Sequence, residues 1–260
     1  MTLDRPAALV VAHPGHELRA LGWLWLARPV VYVLTDGSGS MERSRVPSTM
    51  RVLDEAGARY GSIFGRFTDR EFYARLMRGD IESFIELTEE LTAAFVNERI
   101  EYVVGDASEG YNPTHDVCRL IIAAATARAR AITGRDILNY DFTLVGRPDQ
   151  CAENLHVESL WVHLDDEMLA RKIETARGHP ELAGEVEAAI TKFGIDAFRT
   201  ECFRPVAPGP ANDPDSPPFY EAHGEQRVQS GVYVETLCYA EHVKPLVASL
   251  HEWATAGVQQ

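Results

Sequence analysis

The stretch that decides the fold is AALVVAHPGHE, residues 7–17, in which a run of apolar residues stops at a histidine, a proline and a glycine. A short, continuous apolar run is typical of a strand buried on both faces of a parallel sheet. The next residues have helical spacing, and Pro29 then precedes a second apolar run, 30–34, which ends near Asp36. This order predicts a β-α-β unit, whose right-handed crossover sets the two strands parallel.

The alternation of strands and helices continues along the chain. A third strand is predicted over 101–105, and it is followed by Asp106 and a polar loop, after which a helix begins near His115. Further strands are predicted at 137–145 and 155–164, and helices at 48–58, 71–98, 165–176, 181–193 and 242–254. The sequence therefore predicts an α/β fold, a Rossmann-like and mostly parallel sheet with helices on both faces.

Composition favours one globular domain over residues 1–260. The chain has 260 residues, of which 45% are hydrophobic and 25% charged, and α/β sheets covered on both faces reach this length without splitting. Six prolines in residues 205–218 exclude a helix or a central strand there. We expect that segment to be a surface loop of the same domain.

The net charge, the apolar runs and the cysteine spacing limit the partners and compartments that this protein can have. With 39 Asp and Glu against 25 Lys and Arg, the net charge of -14 disfavours nucleic acid and anionic membrane surfaces as partners. No apolar run reaches the ~20 residues of a membrane span, no secretory signal precedes the first strand, and the four cysteines form no C-x-x-C pair. These features predict a cytoplasmic protein that acts on a small molecule, and they leave a homo-oligomer open.

Polar residues follow three of the predicted strands. His13 and His16 follow the first strand, Asp36 follows the second, and Asp106 follows the third and leads to His115. The carboxyl ends of parallel strands meet at one edge of the sheet, where ligands bind. Three imidazoles suit a tetrahedral Zn²⁺ with an open fourth position, so the pattern predicts a zinc site at His13, His16 and His115. The alternative is that each histidine caps a helix or bonds within a loop.

Several motifs resemble those of one enzyme family. The turn AHPGHE, residues 12–17, resembles the A-H-P-D-D-E signature of the LmbE/PIG-L family of zinc-dependent N-deacetylases, and residues 35–37, TDG, are similar to the end of its second strand. Arg51 lies on a helix that resembles the family's R-x-x-E helix in approximate spacing, and 112–115, NPTH, occupies the place of its H-P-D-H. Arg51 is therefore a candidate to bind an anionic or hydroxyl group of the substrate.

The resemblance implies a zinc-dependent hydrolase that cleaves an N-acyl (amide) bond of an amino sugar or N-acylated metabolite by zinc-bound hydroxide. It assigns the metal to His13, to His16 in place of the family's metal-binding Asp, and to His115. Gly15 replaces the family's general base, and Asn112 replaces a histidine implicated in stabilising the transition state. Glycine has no side chain to transfer a proton, so this is the largest departure from the family.

Other residues are candidates for the missing chemistry. Three neutral imidazoles leave zinc more positive than a site with one carboxylate, which favours ionisation of bound water. Asp36, Glu109 and Asp106 are candidates for a relocated base, and Tyr111 and Asn112 for donors to the oxyanion.

The departures from the family also leave two other functions open. One is a metal-dependent lyase or transferase of specialised metabolism, and the other is a non-catalytic protein that binds a metal or a sugar. Release of acetate from N-acetylated amino sugars distinguishes a hydrolase from both.

Overall fold

The computed structural model describes residues 3–39, 42–209 and 213–256. Its strands are β1 (Ala7–Val11), β2 (Val30–Thr35), β3 (Arg59–Phe67), β4 (Tyr102–Asp106), β5 (Leu138–Phe142), β6 (Leu160–His163) and β7 (Thr200–Pro205). Within the described ranges these form a 7-stranded sheet in the order β3-β2-β1-β4-β5-β7-β6. Neighbours from β3 to β5 are parallel, whereas β7 is antiparallel to both β5 and β6. The predicted mostly parallel sheet is confirmed.

Helices cover both faces of the sheet, also as predicted. They are α1 (Leu21–Ala27), α2 (Val46–Ala56), α3 (Asp69–Met77), α4 (Ile81–Asn97), α5 (Pro113–Thr133), α6 (Asp166–Arg177), α7 (Ala183–Phe193), α8 (Phe219–Gln229) and α9 (Lys244–Thr255). Alternate residues of β1 enter two separate cores: Val10 joins the core built with α4, α5 and α9, and Leu9 joins the core built with α1, α2 and α6. None of the helices in the described ranges combines the length and the apolar character that a membrane crossing needs.

The structure differs from the predicted elements in several places. The single helix predicted over 71–98 is wrong, because the chain turns at Gly79, which has a φ of 64°, and the Asp80 side chain then caps the start of α4. β3, β7 and α8 were not predicted. β3 is an edge strand with irregular register in which only Ile63 is buried, so it lacks the apolar pattern of a buried strand. Residues 210–212 of the predicted proline-rich loop lie outside the described residues.

The order of the central strands positions the candidate site. β1 lies between β2 and β4 and is parallel to both. The turn after β1, Asp36 after β2 and Asp106 at the end of β4 therefore share one edge of the sheet. The first turn of α5, which carries His115, follows the loop after β4 at the same edge.

Candidate metal centre

Three histidine rings meet at this edge. His13 and His16 lie on the turn between β1 and α1, and His115 lies in the first turn of α5. The ring centroids of His13 and His16 are 5.2 Å apart, those of His13 and His115 5.1 Å, and those of His16 and His115 4.6 Å. The fold thus brings the three predicted ligands into mutual contact.

The Nδ1 atoms of His13 and His16 are both held by neighbouring oxygens. His13 Nδ1 lies 2.7 Å from Thr35 Oγ1 and 3.0 Å from Asp69 Oδ1, and His16 Nδ1 lies 2.9 Å from Asp106 Oδ2. Metal-binding histidines usually direct one ring nitrogen to a carboxylate or another protein oxygen, which fixes the ring and leaves the other nitrogen for the ion. The Nε2 atoms of His13 and His16 are therefore the ones available to a ligand.

The two carboxylates are themselves anchored. Asp106 is fully buried, and its Oδ2 also accepts the Ala12 N–H at 2.7 Å. Asp69 Oδ2 accepts the Gly39 N–H at 2.7 Å. Burial alone would raise the pKa of Asp69, but its hydrogen bond and attraction to His13 outweigh burial and hold the pKa below its usual range. Asp69 is thus ionised beside His13.

His115 is positioned by the start of α5. The Asn112 side chain caps this helix by accepting the Thr114 N–H at 2.8 Å, and His115 follows in the same turn. Its Nδ1 is buried and makes no hydrogen bond to any residue that the structure describes. Burial lowers the pKa of His115 well below the usual value, and the two neighbouring histidines lower it further. The ring is therefore neutral, which is the form that binds metals.

The three rings fit a zinc ion in spacing and chemistry. A tetrahedral ion with nitrogen ligands at about 2.0–2.1 Å places imidazole centroids about 5 Å apart, close to the separations of these rings. The buried, unpartnered nitrogen of His115 is the kind of atom that a ligand would satisfy. As they stand, no three or more His, Cys, Asp or Glu side chains in the described ranges are placed so that they could hold a metal ion. An ion can bind here only if the rings reorient.

The backbone at Gly15 leaves no room for a side chain. Its φ is 103°, which disfavours other residues, and a Cβ built there would overlap Leu182 Cδ1 and lie 3.8 Å from His179 Nε2. His179 is only 1% exposed, and neither ring nitrogen makes a hydrogen bond to a described residue, although Nδ1 is 3.3 Å from Glu181 Oε2. Burial lowers the pKa of His179. The connection between α6 and α7 thus borders Gly15.

Two of the predicted catalytic carboxylates hold loops in place. Asp36 Oδ1 accepts the Ser38 N–H at 2.9 Å and so caps the turn after β2. Glu109 Oε2 accepts the N–H groups of Leu144 and Val145 at 2.8 and 3.1 Å, which joins the loop before α5 to the loop after β5. The catalytic roles of Asp36 and Glu109 stay predictions.

The remaining predicted residues differ in exposure and in the contacts that they make. Tyr111 is 50% exposed and stacks on Phe219, with ring centroids 5.2 Å apart. Because the oxygen of the Asn112 side chain caps α5, its amide NH₂ is left to donate. Arg51 is exposed on α2 and donates to Ser48 Oγ. Their roles also stay predictions.

The oxygens that hold His13 and the side chain that borders Gly15 were not predicted from the sequence. Thr35 was noted only as part of a motif. Asp69 follows the helix cap Thr68, and the local pattern T-D-R-E signals a capping box, which the structure contains. His179 stands alone in the sequence, with no spacing that links it to the other histidines.

No protein-family model matches the chain, and no curated protein matches it. Solved structures share the fold. A deacetylase of teicoplanin biosynthesis, crystallised as a "bog" complex, is 12% identical with a TM-score of 0.53, covering 81% of this chain and 100% of that one. The A40926 pseudoaglycone deacetylase Dbv21 is 17% identical with a TM-score of 0.50, covering 80% and 100%. A conserved protein from Thermus thermophilus is 16% identical with a TM-score of 0.51, covering 82% and 99%. At these identities the likeness is one of fold.

Proposed function

We propose that this chain is a divergent member of the LmbE/PIG-L family and a zinc-dependent hydrolase of N-acyl (amide) bonds in small molecules. The proposal depends on one observation above all: three imidazoles are in mutual contact at the carboxyl edge of a parallel sheet, and two of them are fixed by buried or half-buried carboxylates. The AHPGHE turn and the fold shared with deacetylases support it.

In this proposal His13 and His16 bind zinc through Nε2, and His115 binds it through a ring nitrogen. Bound there, zinc supplies a nucleophile from water near neutral pH and acts as a Lewis acid on the acyl oxygen. Asp69 and Asp106 bond to Nδ1 of the first two rings, which favours the tautomer that leaves Nε2 free for the ion.

Two steps are assigned to residues around the histidines. The Asn112 amide NH₂ donates to the oxygen of the acyl carbonyl as charge develops on it, and the hydroxyl of the exposed Tyr111 is the second candidate donor. The attacking water must lose a proton, and Gly15 has no side chain to accept it. We assign this proton to His179 Nε2, because this buried nitrogen borders Gly15 and makes no hydrogen bond to a described residue.

Zinc content and hydrolysis test the proposal together. The purified protein, loaded with zinc and desalted, should hold about one zinc per chain by plasma mass spectrometry, and His16→Ala and His115→Ala should lose it. His163→Ala is the matched control, because that exposed histidine lies on β6 and bonds to Thr200. The rate of acetate release from N-acetylglucosamine should fall in the variants that lose zinc and stay at the wild-type value in the control. If the wild-type protein takes up no zinc, the proposal is wrong.

The proton acceptor has its own test. His179→Gln should retain zinc and lower kcat by about 10²–10⁴-fold, which is the usual contribution of a general base. If His179→Gln keeps the wild-type kcat, His179 is not the proton acceptor.

One observation favours a second candidate, a metal-binding protein that does not hydrolyse amides. Gly15 has no side chain to accept a proton, and Leu182 occupies the space where one would lie. That candidate predicts that the zinc-loaded protein turns over no member of an N-acyl panel. A metal-dependent lyase or transferase would instead convert a substrate without releasing a free acid.

A further inference from the structure

An apolar cavity opens beside the histidines. It has a volume of about 380 Å³, which lies in the range of small-molecule sites, and His16 and His115 form part of its wall. Half of the lining residues come from α6, α7 and the loop after β5. The apolar residues from the two helices and their connection include Ile173, Ala176, Leu182, Val186, Ala189 and Ile190.

Two of the cationic side chains along the wall are already satisfied by protein groups. Lys172 Nζ donates to Glu201 Oε1 at 2.6 Å and to the carbonyl of Arg19 at 3.0 Å. Arg19 in turn donates to the carbonyls of Thr143 and Gly146. These charges are therefore turned away from a ligand, which meets mainly aliphatic carbon in this part of the cavity.

The cavity also has a polar part to its lining. His16, His115, Tyr111, Arg45 and the exposed Glu185 of α7 border it. A ligand that fits this lining has a polar, hydrogen-bonding head at the imidazoles and a long aliphatic part against α6 and α7.

We propose that this cavity holds the aliphatic acyl chain of the substrate, so that the preferred substrates are amines carrying a medium-length N-acyl group rather than N-acetyl. The inference rests on the proposed function, because amide hydrolysis places the acyl carbonyl at the histidines and the acyl chain directly beside it. The chain then replaces water against the aliphatic wall.

A series of N-acylglucosamines with acetyl, butanoyl, hexanoyl and octanoyl groups tests the inference on the zinc-loaded, full-length protein. Each methylene buried in the cavity should raise kcat/KM about fourfold, so hexanoyl, with four more methylenes, should exceed acetyl by about 250-fold. Ala189→Trp, which fills the cavity from α7, should lower the hexanoyl-to-acetyl ratio at least about 10-fold. Ala188→Trp is the matched control, because Ala188 is exposed on the same helix. Circular dichroism checks that both variants fold.

A binding measurement separates this inference from the proposed function. Calorimetry should detect binding of octanoate, but not acetate, to the zinc-loaded protein, and Ala189→Trp should weaken it. If octanoate binds and no N-acyl compound is hydrolysed, the proposed function fails and the cavity remains an aliphatic acyl site. If acetyl and hexanoyl substrates react equally well and octanoate does not bind, the inference is wrong and the hydrolase stands. A preference for N-acetyl alkylamines over N-acylglucosamines would also overturn it, because the chain would then lie on the amine side.

Discussion

Replacing Asp106 by Asn should weaken zinc binding without disturbing the fold. Asp106 Oδ2 accepts both the Ala12 N–H at 2.7 Å and a hydrogen bond from His16 Nδ1 at 2.9 Å. An asparagine oxygen in the same place keeps both bonds. The asparagine NH₂ then occupies the place of Oδ1, which is buried and has no hydrogen-bond partner within the described part of the chain. Asp106→Asn therefore removes the negative charge behind His16 and little else.

The size of the effect follows from this geometry. Losing the partner of a metal-binding histidine typically weakens metal affinity 10–100-fold, or about 1.4–2.8 kcal/mol. The asparagine keeps the ring in place and removes only the charge. We therefore expect Asp106→Asn to weaken zinc affinity about 10-fold. Asp106→Ala also removes the hydrogen bond and leaves the Ala12 N–H buried without a partner, so we expect it near 100-fold, together with a loss of stability.

Competition with a chromophoric chelator measures the affinity at neutral pH. Asp141→Asn is the control, because this carboxylate on β5 pairs with Arg204 at 2.7 Å and not with a histidine. Urea denaturation of the zinc-free proteins checks that stability is comparable. Wild-type zinc affinity in Asp106→Asn, beside a clear loss in His16→Ala, would refute the reasoning that this carboxylate supports the metal centre.

Three further predictions concern stability. Gly15→Ala should lower the free energy of unfolding by about 1–3 kcal/mol, because its φ of 103° and the overlap with Leu182 strain any side chain there; an unchanged urea midpoint would contradict this. Lys172→Met should cost about 3–5 kcal/mol because it leaves the Glu201 carboxylate buried without its cation, and adding Glu201→Gln should recover part of that cost in the same urea assay. Zinc at about 100 times its Kd should stabilise the protein by about 2.7 kcal/mol and so raise Tm, and a chelator should reverse this rise. If neither zinc nor the chelator changes Tm, the folded protein has no zinc site.

The central strands and the three histidines were predictable from the sequence. A continuous apolar run marks a strand buried on both faces, and parallel pairing then places the ends of β1, β2 and β4 at one edge. Parallel pairing alone therefore predicts that His13, His16 and His115 lie close together, and no packing angle is needed for this. The structure adds that their rings touch.

The groups around the histidines were not predictable, because their positions depend on how distant elements pack. Asp69 reaches His13 only because the chain returns along the edge strand β3 to the same end of the sheet, and β3 has a single buried residue and so carries no buried pattern. His179 reaches Gly15 because the connection between α6 and α7 folds onto the turn after β1. Neither contact leaves a local signal in the sequence.

The hydrogen bond from Lys172 Nζ to the carbonyl of Arg19 joins the wall of the apolar cavity to the turn that carries His16. Lys172 belongs to α6, which forms a wall of the apolar cavity, and Arg19 belongs to the turn that begins at His16. An aliphatic ligand that displaced α6 would therefore act on the segment that carries a candidate metal ligand. By thermodynamic reciprocity, whatever factor an aliphatic chain contributes to the affinity for the ion, the ion contributes to the affinity for the chain.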